Sequence, residues 1–168
     1  AAPRSLDVFE QVIDDICRLH GVQPSIVLCD AHPDYFSSRW ARGRGLPFRE
    51  VYHHAAHASA LHGEAGHEGD MLVFTWDGLG YGEDGTLWGG EGLLGRPGDW
   101  HRVASLMPLK LIGGNKASRD PWRCALSACL AAGMDWRVDL PERELATAAW
   151  QRDVNCLASS SAGRLFDA

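Results

Sequence analysis

The chain lacks three features, and each absence excludes a class of function. It has no cysteine pair at knuckle or redox spacing, no excess of positive charge, and no apolar run long enough to cross a bilayer. Cys17, Cys29, Cys124, Cys129 and Cys156 are odd in number and contain no C-x-x-C. That pattern favours reduced, mostly buried thiols in a cytoplasmic protein over a disulfide framework. A net charge of −6, with only Arg39, Arg42 and Arg44 loosely grouped, argues against nucleic acid, whose phosphates are bound by basic surfaces. The first residues do not show the charged-then-apolar pattern of a secretory signal. Neither nucleic acid nor a membrane is therefore expected as a partner. What is present is ordinary globular composition: 168 residues, 45% hydrophobic and 23% charged, enough for one core.

Read in order, the chain begins with a predicted amphipathic helix over Ser5 to His20, its apolar residues Leu6, Phe9, Val12, Ile13, Ile16 and Leu19 at helical spacing. Ser25 to Cys29 is a predicted buried strand, Tyr35 to Ala41 the start of a helix, and Leu46 to Tyr52 a second strand. An Ala-rich helix follows over His53 to His67, ending near Gly66, and then a third strand over Met71 to Trp76. This βαβαβ rhythm indicates a parallel, helix-covered sheet. The texture then changes. Nine glycines between Asp77 and Gly98 predict a turn-rich antiparallel hairpin, with Thr86 to Trp88 and Glu91 to Leu94 as its strands. Val103 to Leu109 is a further strand candidate, and Pro121 to Ala132 and Pro141 to Arg152 are predicted helices. Ser161 to Ala168 reads as a helix only begun, which predicts a fragment. The expected organisation is α/β: a single partial domain over 1–168, with an α/β part at 25–76 and the Gly-rich hairpin, strand and helices at 77–168.

The residues that bear chemistry are concentrated. Six of the eight histidines lie from His53 to His101, and three of them fall in Tyr52-His53-His54-Ala55-Ala56-His57. His53 and His57 are four apart, so a helix projects both from one face. Neutral imidazoles placed in this way grip a borderline metal ion, and a carboxylate completes a common facial set. Asp77, carried to a strand's end by Met71 to Thr75, supplies that carboxylate. The bland alternative is a pair of helical histidines that hydrogen-bond locally. The glutamate of the zinc protease signature is missing, so that activity has no support. His54 is expected to point elsewhere on the helix, as support for the ligands or as a contact to phosphate.

Other strings suit anion or nucleotide contact. Asp77-Gly78-Leu79-Gly80-Tyr81-Gly82 resembles a phosphate-cradling turn, in which glycines let backbone N–H groups approach an anion. Gly89-Gly90-Glu91 and Gly113-Gly114-Asn115 are further glycine pairs that would suit nucleotide contact, but either one alone reads first as a bulge or tight turn. Asp30-Ala31-His32-Pro33-Asp34-Tyr35 sets two acids and a histidine at a strand's end. In Arg119-Asp120-Pro121-Trp122-Arg123, either arginine is a candidate anion clamp, or Asp120 simply caps a helix. Trp76, Trp88 and Trp122 are expected in the core or in the walls of a nucleotide pocket.

Taken together, these strings resemble one family, the HypF carbamoyltransferases that mature nickel–iron hydrogenases. The matching strings are Cys29 to Tyr35, the His53–His57 run, Asp77 to Gly85, Trp88-Gly89-Gly90-Glu91, Arg119 to Arg123 and Ser159 to Ala168, in the family's order. The resemblance implies an actin-like ATPase (ribonuclease-H-like) fold, here incomplete. It implies a carbamoyl-adenylate, formed from carbamoyl phosphate and ATP, bound beside a divalent metal, iron or zinc. The carbamoyl group then passes to the C-terminal cysteine of the partner protein HypE, toward the cyanide ligands of the hydrogenase iron. By position, His53, His57 and Asp77 would be metal ligands. Gly78, Gly80 and Gly82 would hold phosphate, and Gly113 and Gly114 would suit the nucleotide.

No nucleophile within the chain is needed, and no catalytic residue is assigned. Ala55 stands where many members carry another histidine, and Asn115 where a carboxylate is usual. The upstream acylphosphatase-like, zinc-finger and adenylate-forming modules are expected to be missing, as is a further aspartate ligand, so the chain alone is expected to have little or no transfer activity. Two other readings stand beside this one: an O-carbamoyltransferase for a small hydroxylated molecule, and a non-catalytic nucleotide-binding module that needs no metal.

Overall fold

A computed structural model describes residues 3–136 and 139–168. The chain divides into two compact units, Ala1–Val51 and Tyr52–Ala168. The boundary thus falls just ahead of the histidine helix, not at the change of texture after Trp76.

In the first unit, helix α1 (Pro3–His20) precedes strand β1 (Val27–Asp30), helix α2 (Phe36–Gly43) and strand β2 (Phe48–Val51). β1 and β2 pair in parallel from Val27↔Phe48 to Asp30↔Val51. The apolar periodicity of α1 is split between two faces. Phe9 meets Phe36 and Trp40 edge-on, with ring centroids 5.9 and 5.1 Å apart, whereas Val12, Ile16 and Leu19 are exposed. The Trp40 indole N–H donates to Glu10 at 2.9 Å, and Ser38 Oγ donates to the Asp30 carbonyl at 2.7 Å. These bonds hold α2 against α1 and β1.

The second unit opens with helix α3 (His53–Ala65), whose extended N-cap is Tyr52 and whose end at Gly66 is left-handed, with φ 61°. Strand β3 (Met71–Tyr81) then pairs antiparallel with β4 (Leu87–Arg96). The parallel βα rhythm expected through Trp76 therefore stops at β2, because β3 is the first arm of a hairpin. The glycines after Asp77 do not end the strand; they let it bulge and continue. Strand β5 (Asp99–Ser105) pairs with β4 from Glu91↔Ser105 to Arg96↔Asp99. β6 (Leu109–Ile112) pairs antiparallel with β7 (Cys156–Ser159), which joins β4 through Leu87↔Ser159. Val103 to Leu109, expected as one strand, is the end of β5 and the start of β6 with a break between them. β7 lies where no strand is expected from the residue pattern. A 3-10 turn (Gly114–Ser118) and helices α4 (Trp122–Ala131), α5 (Arg143–Arg152) and α6 (Ala162–Phe166) complete the unit. Among the described residues, no helix is long and apolar enough to cross a membrane.

Three apolar clusters hold this unit. Ala58 of α3 packs on Val73, Trp88, Leu93 and Trp100, and so seats the histidine helix on β3 and β4. Leu111, Ala117 and Cys124 form a second cluster, joined by Leu79 and Leu87. Ile112, Leu126 and Ala146 form a third, under Trp122, Trp136 and Trp150. All five cysteines are free thiols; burial pushes the Cys124 and Cys156 thiols up, so both stay protonated and inert.

Leu93 and Leu94 are adjacent on β4 but point to opposite faces, 2% and 44% exposed. Leu93→Ala is expected to cost about 2–5 kcal/mol and Leu94→Ala less than about 1 kcal/mol in urea unfolding. Equal losses would contradict the placement of α3 on this face.

Candidate metal centre

The site is built where α3 crosses the bulged part of β3. Helical spacing puts His53 and His57 on one face of α3, and their Nε2 atoms lie 3.2 Å apart. Asp77 Oδ2 is 2.7 Å from His53 Nε2 and 3.9 Å from His57 Nε2. The three ligand atoms lie within 4.8 Å of one another, the one such metal-competent group among the described residues. Ligands bonded at about 2.0–2.1 Å in tetrahedral or cis octahedral array sit roughly 2.8–3.4 Å apart; the His53–His57 and His53–Asp77 separations stand close to that range, and the His57–Asp77 separation is wider. Two imidazole nitrogens and one carboxylate oxygen are a donor set for iron or zinc. The residues fit the ion that the sequence implies.

Gly80 makes the approach possible. A Cβ there would stand 2.5 Å from His54 Cε1 and 2.8 Å from His53 Cδ2, so any side chain would push the histidine helix off the strand. Asp77 is aimed by the bulge. Burial raises its carboxyl, but the Gly78 N–H, the adjacent His53 and the more distant His54 outweigh this and hold it below the usual carboxylate range. It is thus kept ionised, as a ligand must be.

His54 lies beside the ligand set, not in it. Its side chain is wholly buried, and its Nε2 stands 4.0 Å from Asp77 Oδ2, behind the ligand set. Burial lowers its pKa, as does the neighbouring His53, against opposing pulls from Asp77 and Glu91, so it stays a neutral imidazole.

The other candidate residues fall in several places. Gly78 has open space where a side chain would be, whereas Gly82 is closed by the Trp88 indole, so that glycine serves packing. Gly113 borders a separate 250 Å³ pocket lined by Lys116, Arg123, Glu142 and Asn155, whereas Gly114 packs toward Leu157. Arg123 is not a free anion clamp: Asp120 and Glu142 pair with it at 3.2 and 2.5 Å. Asn115 and Arg119 are exposed. Trp88 is core as expected, but Trp76 is 64% exposed beside Phe166. In the first unit, Asp30 Oδ1 accepts from the His32 N–H at 2.7 Å, and His32 Nδ1 accepts from the Asp34 N–H at 3.1 Å. Tyr35 stacks on the His32 ring at 4.1 Å. This loop orders itself.

Sequence reading missed Glu91 as a buried carboxylate. The Gly89 and Gly90 amides donate to Glu91 Oε1 at 3.0 and 3.2 Å, so they are engaged within the turn and not free for a nucleotide. The Ser159–Ser161 turn was missed as well. Its signal was a run of three serines, each under 4% exposed in the structure.

Because the folded chain keeps His54 neutral, the unfolded chain binds a proton that the folded chain does not. Stability from this group is therefore lost as pH falls below about 6.5, toward the lowered folded value. Urea unfolding at about pH 7 and pH 5.5 is expected to show that loss, and His54→Gln to flatten it. An unchanged slope in the variant would contradict the assignment.

Comparison with known proteins identifies the family. Residues 73–168 match the family described as "Carbamoyltransferase, Kae1-like Domain, second subdomain", and residues 1–64 match "HypF Kae1-like domain". The carbamoyltransferase HypF of Rhizobium leguminosarum bv. viciae is 40% identical over 166 residues, covering 94% of this chain and 22% of that protein. The Rhodobacter capsulatus HypF is 42% identical over 173 residues, covering 96% of this chain and 23% of that protein. The chain thus spans less than a quarter of the length of these relatives. A full-length HypF solved in its phosphate- and nucleotide-bound form superposes with a TM-score of 0.87 at 29% identity, over 99% of this chain and 27% of that one. The T. kodakarensis HypF structure, at 23% identity and a TM-score of 0.77 over 96% of this chain and 25% of that one, shares the fold. The mixed α/β architecture accords with an incomplete actin-like fold. The chain belongs to the HypF carbamoyltransferase family, and its residues are those of the family's Kae1-like domain.

Proposed function

We propose that this chain holds a divalent metal ion, iron or zinc, between His53, His57 and Asp77, and that it binds a carbamoyl-adenylate made from carbamoyl phosphate and ATP. In this reading it serves a cytoplasmic HypF enzyme that passes the carbamoyl group to the C-terminal cysteine of HypE, for the cyanide ligands of nickel–iron hydrogenase. The single observation that carries the proposal is the convergence of His53 Nε2, His57 Nε2 and Asp77 Oδ2 within 4.8 Å. The bound ion supplies Lewis acidity to the oxygens of the mixed anhydride.

The chain's own groups do the rest. Asp77, held ionised, and the neutral buried His54 behind it keep the ligand face negative and fixed. Gly78, with no side chain, leaves room for the adenylate phosphate to approach the backbone. Gly113 borders the separate 250 Å³ pocket, a second place for nucleotide contact. The reaction balances without a nucleophile from this chain: the acceptor thiol loses its proton, a C–S bond forms, and the C–O bond to the phosphate breaks to release AMP. Cys124 and Cys156 do not compete, because their thiols are held protonated.

The test is titration of the chain with a non-hydrolysable carbamoyl-adenylate analogue, with and without Zn²⁺. Binding is expected to strengthen at least about tenfold with the ion and to lose that gain in His57→Ala. Equal affinity with and without metal would favour the non-catalytic nucleotide module. Offered carbamoyl-adenylate with a cysteine-ended peptide and with sugars in parallel, the chain alone is expected to transfer little to either. Efficient transfer to a sugar hydroxyl would move the reading to an O-carbamoyltransferase.

A further inference from the structure

β3 carries a bulge opposite β4. Trp76 pairs with Gly90 and Gly80 with Trp88, so Asp77, Gly78 and Leu79 stand against Gly89 alone. Bulges of this kind re-aim a side chain and leave backbone groups without ladder partners. Here the carbonyls of Asp77 and Gly78 find a partner from the far end of the chain. Ser161 Oγ donates to the Gly78 carbonyl and lies 3.4 Å from the Asp77 carbonyl. The same oxygen accepts the Arg164 N–H at 3.0 Å, capping α6.

The Gly78 residue is therefore gripped at both ends. Its N–H donates to Asp77 Oδ1 at 2.6 Å, while its C=O is held by Ser161. Asp77 in turn presents Oδ2 to His53 Nε2. Rotation of that short stretch of backbone would carry the carboxylate with it. The three segments touch backbone to backbone: a Cβ on Gly89 would stand 2.7 Å from Ser161 Cα and 2.8 Å from the Asp77 carbonyl, and one on Gly163 2.9 Å from Gly78 Cα.

The serine turn is itself anchored. Ser160 Oγ donates to Glu91 Oε1, and Arg102 Nε meets Glu91 Oε2 at 2.7 Å. The Glu91 side chain is wholly buried, so this charge is held by the guanidinium, the hydroxyl and the two glycine amides together. Arg102 is fixed in turn by Asp84 at 2.9 Å and lies over the Trp88 ring at 4.4 Å.

We infer that Ser161 is a positioning residue for the metal centre: through Gly78 it sets the Asp77 carboxylate against the two histidines, with Ser160 and Glu91 as its anchor. The inference rests on the metal reading above and adds to it a control eighty-four residues distant in sequence. Removing a partner that orients a ligand weakens metal binding by about ten- to a hundredfold, and a purely structural serine has no such effect.

The test uses the full chain and Co²⁺, whose visible absorption reports the ligand geometry. Ser161→Ala is expected to raise the Co²⁺ dissociation constant by about ten- to a hundredfold and to shift the visible bands. Ser127→Ala is the control. It deletes a fully buried hydroxyl that accepts from the Trp150 indole N–H at 3.1 Å on α4, and both readouts are expected to stay unchanged. Wild-type affinity and bands in Ser161→Ala, or an equal weakening in Ser127→Ala, would overturn the inference. If Ser161→Ala does not fold, Glu91→Gln is read with the same two outcomes. A wild-type chain that takes up no Co²⁺ would sink the metal reading itself, a result distinct from uptake that Ser161→Ala leaves unaltered.

Discussion

Three residues of β3 facing one of β4 are the constraint on which the site depends. A regular strand would continue its alternation through Asp77, and its carboxylate would follow the pleat. The bulge breaks that alternation and turns the side chain to α3, where His53 and His57 are already aligned by helical spacing. Gly80 then lets the helix settle on the strand with no Cβ between them. Backbone geometry, more than any side-chain contact, sets the distance between acid and imidazoles.

A bulge of this kind costs hydrogen bonds and needs compensation. The unit supplies it from its own C-terminal turn, which brings a hydroxyl to the orphaned carbonyls and is held in place by a buried carboxylate. Glu91 is costly to bury and is matched by a guanidinium and three neutral donors. The apolar cluster of Ala58, Val73, Trp88, Leu93 and Trp100 provides the rigid floor beneath. Polar network and floor meet at Trp88, which donates to Asp84 at 2.9 Å and lies under Arg102.

Much of this was legible in the sequence where the signal is local. The i,i+4 histidines and the apolar run before Asp77 marked the three residues that converge, and the strings around them marked the family. Other parts were not legible, because their cause is long-range. The glycines from Gly78 to Gly82 look alike in a sequence, yet one leaves open space, one admits a histidine helix and one admits an indole. Arg123 stood as a candidate clamp beside the helix-cap alternative because nothing nearby in sequence announces Glu142 as its partner. β7 was missed because four residues of ordinary composition form a strand only when β4 and β6 offer their edges.

X-ray absorption at the zinc edge of the chain loaded with Zn²⁺ tests the central claim most directly. The account expects imidazole nitrogens and a carboxylate oxygen at about 2.0–2.1 Å, with the imidazole scattering reduced in His53→Ala. A shell of sulfur, or one of water oxygens unchanged by that substitution, would contradict it.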